Sequence, residues 1–527
     1  MNKIVNYTII LGLLLFVSCV DDLDQMPNTE TTSATVYAEA ENYKAVLAKV
    51  YASFVLTGQE KGGGNQDLSS NNGYDYMRCY FNLQECGTDE LASTWLEGDK
   101  VGDLTFLTWD ANDPWVADMY YRIYYTIALA NEFLRNSVDD KIVGFSDAEQ
   151  NEIRSYRAEV RFLRALAYYH ALDFYRNIPF VDENDPVGAF IPPRYEAAQA
   201  FEFIESELIA IEGDLPSKEN CEYGRAPKAA AWTLLARLYL NAEVYTGTAK
   251  YTECITWSTR IINEGGYTLE NNYRKLFNAD NHKRSNEIIF PLPVDATYTV
   301  SWGATTYIVC GAVSNTSDYQ VPENYGVTSG WGMFRARGEL PDLFNDYDGR
   351  KLFFTEGQTK TVDVIDNQTN GYYVEKWTNL TDEGEIASNT VDGGVNTDYP
   401  MFRLADVYLM LAESVLRGGK GSSEAVALDL VNLLRARAFG EAYESEGKIT
   451  AGELTSDFIL DERARELYWE ATRRTDLIRY NKFTTAEYIW QWKGGVNEGM
   501  AVDNKFNIYP IPESDLTANP NLYNEDY

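Results

Sequence analysis

The chain has 527 residues, with 45 Lys and Arg against 80 Asp and Glu, and its formal net charge at pH 7 is −35. A chain this acidic repels phosphate backbones, so we expect no nucleic-acid partner. Two histidines leave almost no material for a histidine-based metal site or a nucleophile–histidine relay, whereas a hydrophobic share of 45% can build a large core. Aromatic residues are numerous (11 Trp, 38 Tyr and 23 Phe), and they can fill a core or form platforms for ligands with apolar faces and polar edges.

The N-terminal segment is typical of a secretory signal. Residues 9–17 are almost purely apolar, but the run is too short to span a bilayer, which takes roughly 20 residues. Cys19 follows this run directly after Ser18, a pattern that resembles a bacterial lipobox, in which the cysteine becomes the lipidated first residue. We therefore expect a lipoprotein signal peptide over residues 1–18, lipidation of Cys19, and membrane attachment through the lipid alone. The alternative is an ordinary cleaved signal with an incidental cysteine.

Five cysteines remain after Cys19, so at least one of them is unpaired. No two of them show the Cys-x-x-Cys spacing of a zinc or redox site. A disulfide between Cys79 and Cys86 is left open by the sequence.

Helical periodicity is clearest over residues 146–175, where Ser146 and Glu149 form a capping-box pattern. Four arginines recur with the same spacing as the apolar residues, each one position later in the chain: Arg154, Arg157, Arg161 and Arg164. Glutamates on the same helix favour an ion-paired or solvated flank over an anion site. His170 continues the apolar face, which predicts a packed histidine. Further helices are expected near residues 41–57, 115–136 and 196–211.

Two helix pairs follow the spacing of tetratricopeptide (TPR) units. The first covers the helix that begins after Pro227 and a second helix through Cys254 and Ile261, and the other starts near Leu404 and continues through Leu434. Such units cannot bury their apolar faces alone, so several must stack.

The segments between the helices have a different composition. Residues 58–113 and 288–399 are rich in Gly, Asn, Asp and aromatic residues, and short strand-like pieces begin at Ile288, Thr305 and Gly371. Loops this long are usually functional. The sequence therefore predicts a mostly α fold, with TPR-type helix pairs as scaffold and irregular, loop-rich lobes over it.

Several motifs recur together in the SusD/RagB family, and the chain resembles that family over nearly its whole mature length. They are the lipobox opening and the segments at residues 161–165, 402–409, 466–470, 473–477, 509–512 and 519–520. Residues 302–311, 329–331, 483–485 and 490–495 are most like the family's starch-binding member.

The resemblance implies a fold, a location and a partner. It implies a scaffold of about eight TPR-type helices within one SusD-like domain over residues 19–527, with an N-terminal TPR-containing half over about 19–260 and a loop-rich C-terminal half over about 261–527. It further implies a lipid-anchored protein on the extracellular face of the outer membrane. Such a protein does no chemistry. It captures starch, maltodextrin or cyclic malto-oligosaccharides and passes them to a SusC-like TonB-dependent transporter.

The resemblance also implies a binding site. Trp95, Trp302 and Trp331 match an arc of three aromatic residues, and Arg78 matches an arginine that hydrogen-bonds sugar hydroxyls. This set is chemically coherent, because an indole stacks on the apolar face of a pyranose and an arginine donates to its polar rim. A curved row of rings suits the curvature of an α-1,4-glucan.

Some positions depart from the family pattern. Gly98 stands where an asparagine ligand is expected, so that polar contact is either missing or supplied by Asp99 or Lys100. Asn72 and Asp75 are the candidates for an acidic contact in a segment that does not align cleanly. His282 replaces an aspartate associated with bound calcium, which leaves Asp280 and Asp398 as candidates for a structural calcium site, and we expect no other cofactor.

Three alternatives stay open. The ligand could be a different glucan or glycan. The chain could be a TPR scaffold for protein partners, or a glycoside hydrolase, which needs two carboxylates about 5 to 10 Å apart in a cleft. With 80 acidic residues, the sequence carries no signal for such a pair.

Overall fold

We describe a computed structural model of the protein over residues 33–60, 65–68, 74–188, 190–316, 319–387 and 394–527. In this part of the chain the structure is mostly helical, as the sequence predicts. The helices of the N-terminal half are α1 (Ser33–Val36), α2 (Ala40–Ala52), α3 (Tyr76–Glu85), α4 (Gly102–Phe106), α5 (Pro114–Asn136), α6 (Asp139–Ile142), α7 (Asp147–Tyr175), α8 (Ala197–Ile211), α9 (Lys228–Leu240), α10 (Ala242–Thr246) and α11 (Tyr251–Glu264). Those of the C-terminal half are α12 (Ala304–Gly311), α13 (Glu339–Asp342), α14 (Leu404–Leu416), α15 (Glu424–Phe439), α16 (Ser456–Leu467), α17 (Arg473–Arg479) and α18 (Glu513–Ala518).

Short strands form four antiparallel pairs among the described residues. The strands are β1 (Ala92–Ser93), β2 (Ile178–Pro179), β3 (Arg194–Tyr195), β4 (Ile288–Leu292), β5 (Phe334–Arg335), β6 (Phe353–Phe354), β7 (Tyr373–Val374) and β8 (Tyr399–Arg403). β1 pairs with β5, β2 with β3, β4 with β8 and β6 with β7. The pairs β1 with β5 and β4 with β8 join segments more than 100 residues apart in the chain, whereas β2 with β3 and β6 with β7 are local. The two long-range pairs fasten the loop-rich lobes to one another and to the scaffold.

The long helix α7 begins where its capping box predicts. The side chain of Ser146 accepts a hydrogen bond from the backbone of Glu149, whose carboxylate accepts in return from the backbone of Ser146. His170 is buried on the apolar face and forms a 2.7 Å hydrogen bond between its Nδ1 and the hydroxyl of Tyr76. The prediction of a packed histidine is confirmed.

The arginine flank of α7 is ion-paired, but its partners come from other segments. Arg161 Nη2 lies 2.7 Å from a carboxylate oxygen of Glu207 on α8, and Arg164 is buried with Glu183 and Glu207. The ion-paired flank that the sequence favours over an anion site is confirmed for these two arginines, with carboxylates of other segments as the partners. Because α7 packs against α8, carboxylates across that interface are within reach, and they hold the two helices together.

Both predicted helix pairs form. α9 packs against α11, α14 packs against α15, and α11 also packs against α14. The last contact joins the two pairs, although about 140 residues separate them in the sequence. The apolar faces that no single pair could bury are thereby covered, as expected for TPR-type units.

The two longest helices of the irregular segments, which also contain the short helices α4 and α13, differ from the sequence prediction. The piece at Thr305, expected as a strand, is helix α12, and residues 58–113 contain helix α3. All ten residues of α3 and all eight of α12 are buried. A helix that is covered on every side has no polar face, so it lacks the 3.6-residue period by which helices are recognised.

Buried ion pairs connect the C-terminal motifs to the rest of the protein. Arg403, at the end of β8, lies 3.1 Å from Glu287 and 2.6 Å from both Glu466 and Glu470. Arg350 adds a 3.0 Å pair with Glu466. Such networks fix geometry, because removing one partner leaves a buried charge uncompensated. These family motifs therefore serve the fold.

The described residues show whether a disulfide forms and whether a helix could span a membrane. Cys79 and Cys86 are both buried and are not joined to each other, so the Cys79–Cys86 bridge left open by the sequence does not form here. Within the described ranges, no helix combines the length and apolar character that a bilayer crossing requires. The signal peptide and Cys19 lie outside the described residues.

Candidate functional site

Two of the three candidate tryptophans are brought together by the pairing of β1 with β5. Ala92 pairs with Arg335 and Ser93 with Phe334, and the ladder continues as the backbone nitrogen of Thr94 donates to the carbonyl of Met333 at 2.9 Å. Trp95 follows β1 and Trp331 precedes β5. Their ring centroids lie 6.1 Å apart with an interplanar angle of 16°, and both side chains are half-buried.

Trp302 extends this pair into a row of three. Its ring centroid lies 6.3 Å from that of Trp331, and the two planes are tilted by 53°. Trp302 is 43% exposed, the most exposed of the three. Because the first two rings are nearly parallel and the third is tilted, the row bends. The three residues, at positions 95, 302 and 331, are called the tryptophan row below.

One buried carboxylate positions the backbone around Trp302. Asp75 caps helix α3 by accepting from the backbone nitrogen of Arg78 at 2.8 Å, and the same oxygen accepts from the backbone nitrogen of Ala304 at 3.2 Å. Its other oxygen accepts from the hydroxyl of Ser301. A Cβ atom at Gly303 would lie 2.1 Å from this carboxylate, so only glycine fits there. Burial raises the pKa of the Asp75 carboxyl.

Arg78 lies beneath the row and is 2% exposed. Its Nη1 donates to the backbone carbonyl of Trp302 at 2.6 Å, and its Nη2 donates to Asp99 at 2.7 Å. The guanidinium is also stacked against the rings of Tyr74 and Tyr307, at 3.5 and 4.0 Å from their centroids. The guanidinium therefore ties the backbone of Trp302 to the segment that follows Trp95.

The remaining candidate residues fall into different environments. Asp99 is buried and accepts from the hydroxyl of Tyr74 at 3.0 Å as well as from Arg78. Gly98 is exposed, and a Cβ atom there would meet no atom within 4 Å. Asn72 lies outside the described residues. The structure thus brings together the three tryptophans, Arg78, Asp75 and Asp99.

The two calcium candidates are engaged by protein donors. Asp398 accepts from the hydroxyl of Tyr223 and, at 2.7 Å, from the backbone nitrogen of Val294, and burial raises its pKa to about 6. Asp280 pairs with Lys283 at 2.9 Å. Among the residues that the structure describes, no group of three or more His, Cys, Asp or Glu side chains is arranged to hold a metal ion.

A cavity of about 540 Å³ lies on the arginine flank of α7, lined by Arg154, Arg157 and Arg161. Each arginine has a carboxylate partner, at 2.9 Å in the pair of Arg154 with Asp139. The positive charges that line the cavity are therefore already compensated by carboxylates of the protein.

Sequence reasoning missed the residues that support the row. Tyr307 lies on α12, with its ring centroid 6.3 Å from that of Trp331, and its hydroxyl donates to Asn82 at 2.8 Å. Trp115 stacks on Tyr74 at 5.1 Å, and its indole nitrogen donates to the carbonyl of Asp99 at 2.8 Å. The sequence carries no signal for Tyr307, because the fully buried segment 304–311 lacks helical periodicity and the contact with Arg78 joins distant parts of the chain.

Comparison with known proteins identifies the family. The sequence is 33% identical to the starch-binding protein SusD of Bacteroides thetaiotaomicron over 97% of this chain and 96% of that protein. The SusD family model matches residues 352–527. The chain belongs to the SusD family. As a member it is a glycan-binding protein and not an enzyme, as the resemblance implies.

Solved structures of low sequence identity share the fold. Surface glycan-binding protein A from Bacteroides uniformis is 20% identical with a TM-score of 0.69, and the match covers 92% of this chain and 99% of that one. The corresponding protein from Bacteroides thetaiotaomicron, in complex with laminarihexaose, is 19% identical with a TM-score of 0.67 and the same coverage. The SusD-like fold predicted from the motifs is confirmed.

Proposed function

We propose that this SusD family protein binds starch, maltodextrins and cyclic malto-oligosaccharides through the tryptophan row. The observation that carries the proposal is the convergence of Trp95, Trp302 and Trp331, which come from three separate segments, into one row with centroid spacings of 6.1 and 6.3 Å. The 33% identity to a starch-binding protein supports the choice of glucan.

The geometry of the row suits a chain of glucose units. Each indole can stack on the apolar face of one pyranose and contributes about 1 kcal/mol. The 53° tilt between Trp302 and Trp331 bends the row, which favours a ligand that curves over a flat one. A β-1,3-glucan also curves, and the neighbour with laminarihexaose makes that class the second candidate.

The polar residues below the row have a supporting role in this arrangement. Direct donation from Arg78 to sugar hydroxyls stays a prediction, because both terminal nitrogens already donate to protein oxygens. Each terminal nitrogen has a second proton, but the side chain is only 2% exposed, so a sugar hydroxyl would have to reach a buried group. Asp75 and Asp99 are likewise occupied by protein donors. We propose that the three residues hold the tryptophans in position.

The proposed function also includes attachment of the protein to the outer membrane and transfer of the bound glycan to a transporter. SusD family proteins are associated with the outer membrane, and we propose that this one is lipidated at Cys19, faces the exterior and passes its glycan to a SusC-like TonB-dependent transporter. We also propose that residues 19–527 form one domain. The 2.9 Å ion pair between Arg237 and Asp406 supports this, since it crosses between the two halves.

A panel of purified glycans tests the ligand. Calorimetric titrations of the wild-type protein with maltoheptaose, β-cyclodextrin and laminarihexaose should show binding of the first two, and electrophoresis through an amylopectin gel should show retardation. Binding of laminarihexaose alone would replace starch by a β-1,3-glucan as the ligand. No affinity for any glycan would favour the TPR scaffold, and new reducing ends after incubation with starch would favour the glycoside hydrolase.

A further inference from the structure

The tryptophan row needs polar partners, and three of the polar residues predicted for it, Arg78, Asp75 and Asp99, are buried. Stacking recognises the face of a pyranose, but hydroxyls are recognised by hydrogen bonds. Arg78 and Asp99 are 2% and 6% exposed, and Asp75 is fully buried. Polar side chains with greater exposure must therefore be sought elsewhere around the row.

Two carboxamide side chains lie beside Trp331. Asn315 is exposed, and its Nδ2 donates to the backbone carbonyl of Trp331 at 3.3 Å. Gln368 is half-buried, and its Nε2 donates to Oδ1 of Asn315 at 2.9 Å. The two side chains thus form a connected amide pair, fastened directly to one member of the tryptophan row.

The pair is held in a fixed orientation. Oε1 of Gln368 lies 3.2 Å from the hydroxyl of Tyr373, 3.4 Å from that of Ser314 and 3.3 Å from that of Thr316. A Cβ atom at Gly332, where φ is +61°, would lie 2.2 Å from this same oxygen. Glycine at position 332 therefore allows the amide of Gln368 to approach the backbone directly after Trp331.

The hydrogen-bonding capacity of the pair exceeds what the protein uses. Each amide nitrogen carries two protons, and the bonds above occupy one proton on Asn315 and one on Gln368. Oδ1 of Asn315 accepts one bond in this set and has a second lone pair. Two donors and an acceptor, all uncharged, match a neighbouring pair of hydroxyls on a neutral sugar.

We propose that Asn315 and Gln368 form the hydroxyl-binding edge of the glycan site, next to a glucose unit stacked on Trp331. This assignment rests on the proposed function and deepens it. The tryptophan row supplies the stacking surface, and the amide pair recognises the hydroxyls and thereby selects among sugars.

Titration of the double variant Asn315→Ala/Gln368→Ala tests the assignment. We expect its affinity for maltoheptaose and β-cyclodextrin to fall about tenfold or more, because two hydrogen-bonding groups are lost. The single variant Gln368→Ala, which leaves the bond from Asn315 to Trp331 in place, should lose part of that affinity. Asn220→Ala is the matched control, since Asn220 is an exposed asparagine whose amide donates to Ser217 at 3.1 Å.

A modified ligand separates hydroxyl recognition from a structural effect. β-Cyclodextrin methylated at its 2- and 3-hydroxyls should bind the wild-type protein at least about tenfold more weakly than unmodified β-cyclodextrin, and the double variant should lose this preference. Unchanged affinity of the double variant for β-cyclodextrin, or an unchanged preference, overturns the assignment while the proposed function stands. Failure of the wild-type protein to bind any malto-oligosaccharide overturns the proposed function and this assignment with it.

Discussion

Asp75 and Ala304 are 229 residues apart in the sequence, and their side-chain oxygen and backbone nitrogen lie 3.2 Å apart. The oxygen of Asp75 that makes this contact also caps α3 through the backbone nitrogen of Arg78. One carboxylate therefore stabilises the starts of two helices, and Trp302 stands two residues before the second of them.

Substitution Asp75→Ala should consequently cost more stability than the loss of an ordinary helix cap. A single cap contributes about 0.5 to 2 kcal/mol, so for two helix starts we expect a loss of about 1 to 4 kcal/mol in the free energy of unfolding. Asp113→Ala is the matched control, because the buried Asp113 caps only α5. Urea unfolding of both variants checks this, and equal losses would show that Asp75 acts on one helix alone.

Arg78 offers a way to distinguish support from sugar contact. Arg78→Ala leaves the buried carboxylate of Asp99 without its ion pair and should cost about 3 to 5 kcal/mol of stability. Arg78→Lys keeps the charge but cannot reach both Trp302 and Asp99 with a planar fork. If Arg78 only positions the row, loss of glycan affinity should follow loss of stability across the two variants. An Arg78→Lys variant of wild-type stability without glycan binding would instead establish direct contact.

The sequence alone predicts the scaffold well and the site incompletely. The capping box of α7 and the TPR-type spacing are local signals, so Ser146 and the helix pairs could be found directly. The roles of Asp75 and Arg78 could not be found from the sequence, because they depend on contacts with residues 301–304, more than 200 positions away. The helix around Tyr307 was missed for a related reason, since full burial removes its period.

Within the tryptophan row, Trp331 should be the most sensitive position. It lies between Trp95 and Trp302, so its loss removes both ring pairs. We expect Trp331→Ala to reduce affinity for maltoheptaose at least about tenfold, and Trp302→Ala to weaken it as well. Trp257→Ala, at a half-buried tryptophan on α11, is the control. Retained retardation of Trp331→Ala in an amylopectin gel would place the glycan site elsewhere.

If Cys19 carries a lipid anchor, its substitution should release the protein from the membrane. In Cys19→Ala the acceptor thiol of the proposed lipid is absent, so the protein should move from the membrane fraction to the soluble fraction. Fractionation followed by immunoblotting measures this, and Cys221→Ala serves as a control because that thiol lies in the folded part of the chain. Membrane attachment of Cys19→Ala in cells without the transporter would contradict lipidation.

The buried His170 should make the protein less stable as the pH falls below 6.5. Burial lowers the pKa of His170 to about 3, so between pH 6.5 and 3 the unfolded chain binds a proton that the folded chain does not. Stability then decreases by up to about 1.4 kcal/mol per pH unit from this residue. Asp398, whose pKa is raised to about 6, acts in the opposite direction, because its folded form gains the proton first.

The comparison must therefore be made between the wild-type protein and His170→Asn, which keeps an acceptor for the hydroxyl of Tyr76. Urea unfolding at pH 7, 6 and 5 should show the variant gaining stability relative to the wild type by about 1 to 2 kcal/mol as the pH falls. Parallel pH profiles would contradict the lowered pKa, because they would show that His170 binds its proton as readily in the folded as in the unfolded chain.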